Sequence, residues 1–154
     1  KDEIQEKPVE KQVEKKQVQE KPKKTEAFVR AVNIPISTKH SMAISQFIKN
    51  RPISEAISDL EQVVKLRKAV PMKGEIPHRR GQGMMSGRFP EKAARQFIVL
   101  LKSLAANASQ HGIESPIITG SVPNIGQRPF GRKGVRKKRT HITLTAKSLK
   151  GAKK

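Results

Sequence analysis

The chain has 154 residues and a formal net charge of +20, because 33 Lys and Arg outnumber 13 Asp and Glu. It has no cysteine, which excludes a disulfide scaffold, cysteine-based zinc sites and thiol catalysis, and it lacks both the apolar run of roughly 20 residues of a membrane-spanning helix and the apolar stretch of a signal peptide. With 34% hydrophobic residues and phenylalanine as the sole aromatic type, the composition predicts one small-cored, soluble intracellular domain that binds a polyanion, most commonly nucleic acid.

Residues 1–25 are predicted to form a charged tail that is disordered or only transiently helical. They are mostly Lys, Glu, Gln and Val, with two prolines and no aromatic residue. Three widely spaced valines give a helix too little apolar surface to bury. Residues 1–26 carry a net charge of only +1, so we expect little polyanion binding by the tail alone. The compact domain is predicted to begin near Glu26.

The domain is predicted to open with a strand and a helix. Apolar and polar residues alternate over residues 27–34, which predicts a strand that Pro35 ends. Ser37 or Thr38 can cap a helix that runs to about Asn50. The apolar contacts of this helix are expected from Met42, Ile44, Phe47 and Ile48.

A second helix is predicted after the break at Arg51 and Pro52. Ser54 can cap it, and Val70 and Pro71 end it. Apolar residues at i, i+4, i+7 and i+11 form an amphipathic stripe that should pack on the core. The residues of the stripe are Ile53, Ile57, Leu60 and Val64.

Residues 71–89 are predicted to form a long loop. The segment contains four glycines, two prolines and four basic residues, and a loop of this length inside a small domain is usually functional. Met84 and Met85 are expected to fill gaps in the core. The basic side chains are expected to contact phosphates, with an ordinary exposed loop as the alternative. The candidate contacts are Lys73, His78, Arg79, Arg80 and Arg88.

A third helix is predicted to begin at Pro90 and to be capped at its C-terminus by Gly112. Proline suits the first turn of a helix, and glycine suits the position just after the last turn. Apolar residues recur at helical spacing throughout, so this helix should supply much of the core. Its apolar face is predicted to comprise Ala94, Phe97, Ile98, Leu101, Leu104, Ala105 and Ala108.

The next part of the chain is predicted to form a long extended β-hairpin over about residues 116–146. Residues 117–125 are rich in β-branched side chains, and residues 141–145 alternate in polarity. Glycines and a proline over residues 126–134 supply turn chemistry. Arms of about 10–12 residues, at about 3.3 Å per residue, would reach roughly 35–40 Å. Because a domain this small cannot cover such arms, we expect them to insert into a polyanion.

The charge of the last forty residues supports nucleic-acid contact. Residues 115–154 hold 11 basic and no acidic residues, whereas residues 27–114 have a net charge of +8. A segment without carboxylates cannot neutralise itself, so it implies an external anion. Arginine can pair with phosphate bidentately, and Phe130 can stack on a base. For residues 126–139 the alternatives are a solvated basic loop and a targeting signal, and residues 148–154 are predicted to be a basic tail.

No catalytic, metal or cofactor site is predicted. The four histidines are scattered without metal-ligand spacing. The adjacency of His40 and Ser41 indicates nothing about a catalytic triad, and no glycine-rich nucleotide-binding loop is present. We therefore expect a protein that is not an enzyme.

Five segments, taken in order along the chain, are similar to a known family. They are Ala27-Phe-Val-Arg-Ala-Val-Asn-Ile-Pro-Ile-Ser-Thr-Lys-His-Ser41, Ala69-Val-Pro-Met-Lys73, Pro77-His-Arg-Arg-Gly81, Gly87-Arg-Phe-Pro-Glu-Lys-Ala-Ala94 and Arg139-Thr-His-Ile-Thr143. Together they resemble universal large-subunit ribosomal protein twenty-two in its archaeal form, over about residues 26–147. The Thr-His-Ile-Thr sequence after a basic hairpin is the most telling of the five.

The resemblance implies an α+β fold of three helices and a small antiparallel sheet, with a long extended β-hairpin. It implies a structural constituent of the large subunit of the cytoplasmic ribosome. The domain would bind large-subunit ribosomal RNA and neighbouring ribosomal proteins near the peptide exit. The hairpin would cross the RNA and line the nascent-peptide tunnel with its tip.

The same resemblance assigns residues to these contacts. The tip that meets the nascent peptide is expected at Arg128, Pro129, Phe130, Gly131 and Arg132. Contacts with RNA along the hairpin are expected from Arg128, Arg132, Lys133, Arg136, Lys137, Lys138, Arg139 and His141.

Two other functions stay open at this point. A non-ribosomal, chromosomal DNA-binding protein would explain the charge, but not the long loop and the hairpin together. An interaction module that uses the valine-containing tail to bind a partner helix is the other.

Overall fold

The structure, a computed structural model, describes residues 25–73, 84 and 86–148. Within these ranges the chain forms β1 Glu26–Ile34, α1 Thr38–Ile48, α2 Ile53–Val64, β2 Val70–Pro71, β3 Gly87–Arg88, α3 Glu91–Gln110, β4 Pro116–Ile125 and β5 Thr140–Ser148. The predicted α+β class, with three helices and a small antiparallel sheet, is confirmed. Apart from residues 25 and 148, the two predicted tails lie outside the described residues.

The main sheet has three antiparallel strands in the order β1, β5, β4. Along the central strand, Thr140, Ile142, Leu144 and Ala146 are buried, and the residues between them are half-buried. This period of two places one face of the sheet on the core. The predicted strand over residues 27–34 is confirmed, and β4 and β5, which hold the residues of the two predicted hairpin arms, pair antiparallel. Both arms belong to the domain's own sheet, and the long reach of the hairpin stays a prediction.

α3 lies on the inner face of the sheet and also packs on α2. Its predicted apolar face is confirmed, with Phe97, Leu101 and Leu104 fully buried. Gly112 has a φ of 66° just after the helix. The N–H groups of Gly112 and Ile113 donate to the Ser109 and Ala108 carbonyls, both at 3.0 Å, so the predicted glycine cap is confirmed.

The structure corrects the predicted helix boundaries. Pro52 precedes α2 and its carbonyl accepts the Ala56 N–H at 3.1 Å, so the prediction that Ser54 caps this helix is wrong. α2 ends at Val64, well before Val70, because Leu66 adopts a left-handed φ of 59° that a helix cannot continue through. α1 ends at Ile48, not Asn50.

The helix faces differ from the predicted ones at a few positions. Met42 is 53% exposed, so its predicted core contact is wrong. α1 packs on β4, and between them the Ser121 hydroxyl donates to Ser45 Oγ at 2.7 Å. The predicted stripe of α2 lies on the core, with Leu60 fully buried and Ile57 and Val64 partly buried, and the structure adds the fully buried Ala56 and Val63 to this face.

The predicted loop over residues 71–89 is paired at both ends. β2 and β3 form a two-stranded antiparallel ladder, with Val70 opposite Arg88 and Pro71 opposite Gly87. The Met72 N–H then donates to the Ser86 carbonyl at 2.8 Å. Residues 74–83 and 85 lie outside the described residues, and Met84 is half-buried.

Candidate nucleic-acid interface

The segment that joins β4 to β5, residues 126–139, is called here the basic connection. Its residues from 127 to 138 are exposed except for the half-buried Gly131. Six cationic side chains therefore face solvent within one short segment, in a stretch of sequence that has no carboxylate. They are Arg128, Arg132, Lys133, Arg136, Lys137 and Lys138. A surface of this kind has phosphate groups as its natural counter-charges.

The basic connection folds back on itself. The Gly131 N–H donates to the Val135 carbonyl at 2.6 Å, and the Lys137 N–H donates to the Pro129 carbonyl at 3.0 Å. Both bonds enclose a turn at Arg132–Gly134, where Lys133 has a φ of 59°. Of the predicted tip residues, Arg132 lies in this turn, and the residues from 128 to 130 lie on the limb that leads into it.

An aromatic and a guanidinium group lie across this turn from one another. Phe130 and Arg136 are bridge partners, and the Arg136 guanidinium carbon lies 4.9 Å from the centre of the Phe130 ring. The Phe130 side chain is still 72% exposed. The pair presents two flat groups to solvent, and both groups are suited to stacking on nucleobases.

Asn33 holds the base of the basic connection. It lies at the bulge of β1 with a φ of 55°. Its Oδ1 accepts the Gln127 N–H at 3.2 Å, and its carbonyl accepts a bond from the Arg139 guanidinium at 3.3 Å. Both ends of the connection are thus tied to one residue of β1.

Gly126 fits closely against this anchor. Its N–H donates to the Arg139 carbonyl at 2.9 Å. A Cβ added at Gly126 would lie 2.8 Å from Asn33 Oδ1 and 3.1 Å from the Arg139 carbonyl carbon. Only glycine fits here without displacing the backbone of the connection.

His141 is held in the sheet. Its Nδ1 accepts the backbone N–H of Asn33 at 3.1 Å, and its side chain is half-buried. With Nδ1 occupied, Nε2 is the nitrogen left to meet a ligand. The predicted RNA contact of His141 stays a prediction.

The candidate residues of the 71–89 segment are only partly described. Lys73 and Arg88 are exposed, close to and within the β2–β3 ladder. His78, Arg79 and Arg80 lie outside the described residues.

A cavity of about 480 Å³ opens between α1, the start of α3 and the end of the basic connection. Pro35 and Ile36 form part of its wall, and we call it the basic cavity. Its polar lining comprises Ser37, His40, Lys92, Lys137, Lys138 and Arg139. Neither His40 nor Lys92 is among the predicted contacts, because nothing local in the sequence brings them to the connection, which lies about 45 to 100 residues further along the chain.

The pKa of His40 reflects the positive charge around the basic cavity. Burial lowers the pKa of this imidazole below its ordinary 6.5, and the positive charges of Arg88, Lys138 and Lys39 lower it further. The side chain is therefore neutral at pH 7 and lies among cations from three separate parts of the chain. Arg88 thereby joins this face of the molecule.

The described residues show no metal site, since no group of three or more His, Asp or Glu side chains among them is placed to hold a metal ion. None of the helices described has the length and apolar character needed to cross a membrane.

No family model matches the chain, but several curated proteins that share one name are similar to it. The chain is 34% identical to large ribosomal subunit protein uL22 of Cenarchaeum symbiosum over 125 residues, which cover 73% of this chain and 82% of that relative. It is 37% identical to the uL22 protein of Methanopyrus kandleri over 124 residues, which cover 69% and 74%.

Other matches are shorter. The chain is 41% identical to the uL22 protein of Methanoculleus marisnigri over 92 residues, which cover 57% of this chain and 60% of that relative. The match to the uL22 protein of Archaeoglobus fulgidus covers 55% of that relative. In these two comparisons the chain spans little more than half of the relative's length.

Proposed function

Because the chain belongs to the uL22 family of large ribosomal subunit proteins, we propose that it is a structural, non-enzymatic constituent of the large subunit of the cytoplasmic ribosome. In this role it binds large-subunit ribosomal RNA through one basic face. The face comprises the basic connection, the rim of the basic cavity and the exposed cations near the β2–β3 ladder.

The observation that carries this proposal is the basic connection itself. Its six exposed cations lie in a stretch of sequence without a carboxylate. Exposed like charges repel one another, and that repulsion is relieved when phosphates lie between them. The fold also fixes both ends of the connection at Asn33, so the cations are presented from a defined position.

The physical role is to join RNA segments. The sheet and helices form a rigid base, and the connection carries charge away from it. Phosphate contacts supply affinity that is independent of base sequence, and the Phe130–Arg136 pair adds stacking on unpaired bases. A protein that contacts RNA on both the domain and the connection stabilises the relative position of the two RNA segments.

The finer placement within the subunit is also part of the proposal. The domain lies near the peptide exit, where it meets neighbouring ribosomal proteins, and the turn of the basic connection lines the nascent-peptide tunnel. Family membership supports this placement, and so does the exposure of Arg128 and Phe130 on the limb beside the turn.

The first test is RNA binding at several salt concentrations. Arg132→Gln and Arg136→Gln should each weaken binding to a large-subunit ribosomal RNA fragment. Each should lower the slope of log affinity against log salt by about 0.7–0.9, the value for one lost phosphate contact. Lys102→Gln removes the same charge from an exposed position on α3 and serves as the matched control. Equal affinity of the unaltered protein for duplex DNA at matched salt would contradict the proposal and favour a chromosomal protein.

The second test addresses the tunnel. A photo-crosslinking amino acid placed at Phe130 in assembled ribosomes should link to a stalled nascent chain, whereas the same group at Val99, exposed on α3, should not. Crosslinks from Phe130 to ribosomal RNA alone would overturn the tunnel placement and leave RNA binding intact.

A further inference from the structure

We propose that the basic cavity is a seat for a single backbone phosphate of RNA, held by Lys92, Lys138 and the imidazole of His40. This inference rests on the proposed function, since it names one binding site within that RNA interface. It adds two residues, His40 and Lys92, that belong to the domain and not to the basic connection.

Charges from distant parts of the chain converge on this cavity. Lys92 comes from the first turn of α3, and Lys137 and Lys138 come from the end of the connection. Within the described part of the chain none of these three lysines forms an ion pair. The fourth cation, Arg139, already donates to the Asn33 carbonyl. Lysines that line one concave space without an ion pair favour an anion with several acceptor oxygens, and phosphate is such an anion.

The shape of the cavity suits a phosphate that belongs to a chain. Its volume of about 480 Å³ exceeds that of a phosphate group alone and lies in the range of small-molecule sites. The apolar wall at Pro35 and Ile36 gives the sugar beside the phosphate a surface to pack on. RNA backbone therefore fits the cavity better than a free ion does.

His40 gives the site a distinctive response to its ligand. The cations whose charge acts on it are Lys39 on α1, Arg88 on β3 and Lys138 on the connection, and Lys92, Lys137 and Arg139 line the same cavity. Burial and the charges of Arg88, Lys138 and Lys39 lower the pKa of His40 in the free protein. A phosphate placed among these groups contributes negative charge, which raises that pKa and favours uptake of a proton. Binding should therefore be stronger at pH 6 than at pH 7.5.

The first arm of the test uses inorganic phosphate as the probe and the full-length protein. The ring signals of His40 in NMR spectra should shift saturably with phosphate, but not with chloride at equal ionic strength. Lys92→Gln should weaken this binding about tenfold, as expected for the loss of a charged hydrogen bond, and Lys102→Gln should leave it unchanged. Equal shifts with chloride, or equal affinities of the two variants, would overturn the inference.

The second arm uses a large-subunit ribosomal RNA fragment. Lys92→Gln should lose more affinity than Lys102→Gln, and the gain in affinity between pH 7.5 and pH 6 should shrink in His40→Gln. If the unaltered protein does not prefer ribosomal RNA to duplex DNA, the proposed function fails. If it does, but the two lysine variants bind RNA equally, the phosphate seat alone is refuted.

Discussion

The contribution of Asn33 to holding the basic connection can be measured as a change in the free energy of unfolding. Replacing it with alanine removes the Oδ1 that accepts the Gln127 N–H, and loss of one such bond costs about 0.5–1.5 kcal/mol. Alanine must also adopt the φ of 55°, which costs roughly 1 kcal/mol more than it does for asparagine. Asn33→Ala should therefore lower the free energy of unfolding by about 2 kcal/mol.

Two further substitutions separate these contributions. Asn33→Gly tolerates the positive φ but lacks the acceptor, so it should cost about 1 kcal/mol. Asn33→Asp keeps an oxygen acceptor and tolerance of the left-handed region, and it adds a carboxylate near Arg139. It should remain within about 0.5 kcal/mol of the unaltered protein or exceed it.

The assay is urea unfolding of the full chain, combined with hydrogen exchange at the Gln127 amide. Exchange at this amide should accelerate in Asn33→Ala and Asn33→Gly, but not in Asn33→Asp. If Asn33→Asp is destabilised as much as Asn33→Ala, the side-chain oxygen is not what holds the connection. If Asn33→Gly equals Asn33→Ala, the backbone conformation at this position contributes nothing.

Three other predictions concern the domain. Gly112→Ala should lower the free energy of unfolding by about 1 kcal/mol because of the φ of 66° alone, since a Cβ there meets no atom within 4 Å. If urea unfolding shows no loss of stability, Gly112 does not cap the helix. Leu101→Ala, at a buried position, should lower the free energy of unfolding by about 2–5 kcal/mol. Val99→Ala, at a 61% exposed position, should change it by no more than about 0.5 kcal/mol. Similar losses in the two variants would mean that α3 buries a different face. Because the pKa of His40 is lower in the folded chain than the unfolded 6.5, the unfolded chain binds the proton more readily, so stability should fall as pH drops below about 6.5. His40→Gln should reduce this pH dependence in urea unfolding, and an unchanged dependence would show that the imidazole is not buried among cations.

Sequence patterns predicted the elements that depend on neighbouring residues. The apolar face of α3 repeats over a long helix, so one misplaced residue could not shift it. α2 is shorter, and its predicted stripe is confirmed but too narrow: Ile57 and Val64 pack on the core in part, while Ala56 and Val63, one position before each of them, are fully buried. A stripe read at i, i+4, i+7 and i+11 follows one line along a helix, whereas the buried face of α2 is wider than one line.

The contacts that build the interface were beyond this kind of prediction. Asn33 is joined to Gln127 and Arg139 across 94 and 106 residues of sequence. The meeting of His40 with Lys138 is equally distant along the chain. The charge of the basic connection follows from the composition of the sequence, whereas the residues that position it are seen only in the folded structure.

The central place of β5 sets the order in which the chain can fold. β5 pairs with β1 so that Glu26 lies opposite Lys147, and β5 is also the strand of this sheet on which β4 pairs. The first and last strands of the domain therefore meet only after almost the whole domain has been synthesised. Until then β1 and β4 lack their common neighbour, and the apolar surface of α3 lacks the buried face of β5. Such distant pairing slows folding and prolongs the exposure of unpaired strand edges. A polyanion that engages the basic connection early would bring the ends of β4 and β5 together and thereby favour completion of the sheet.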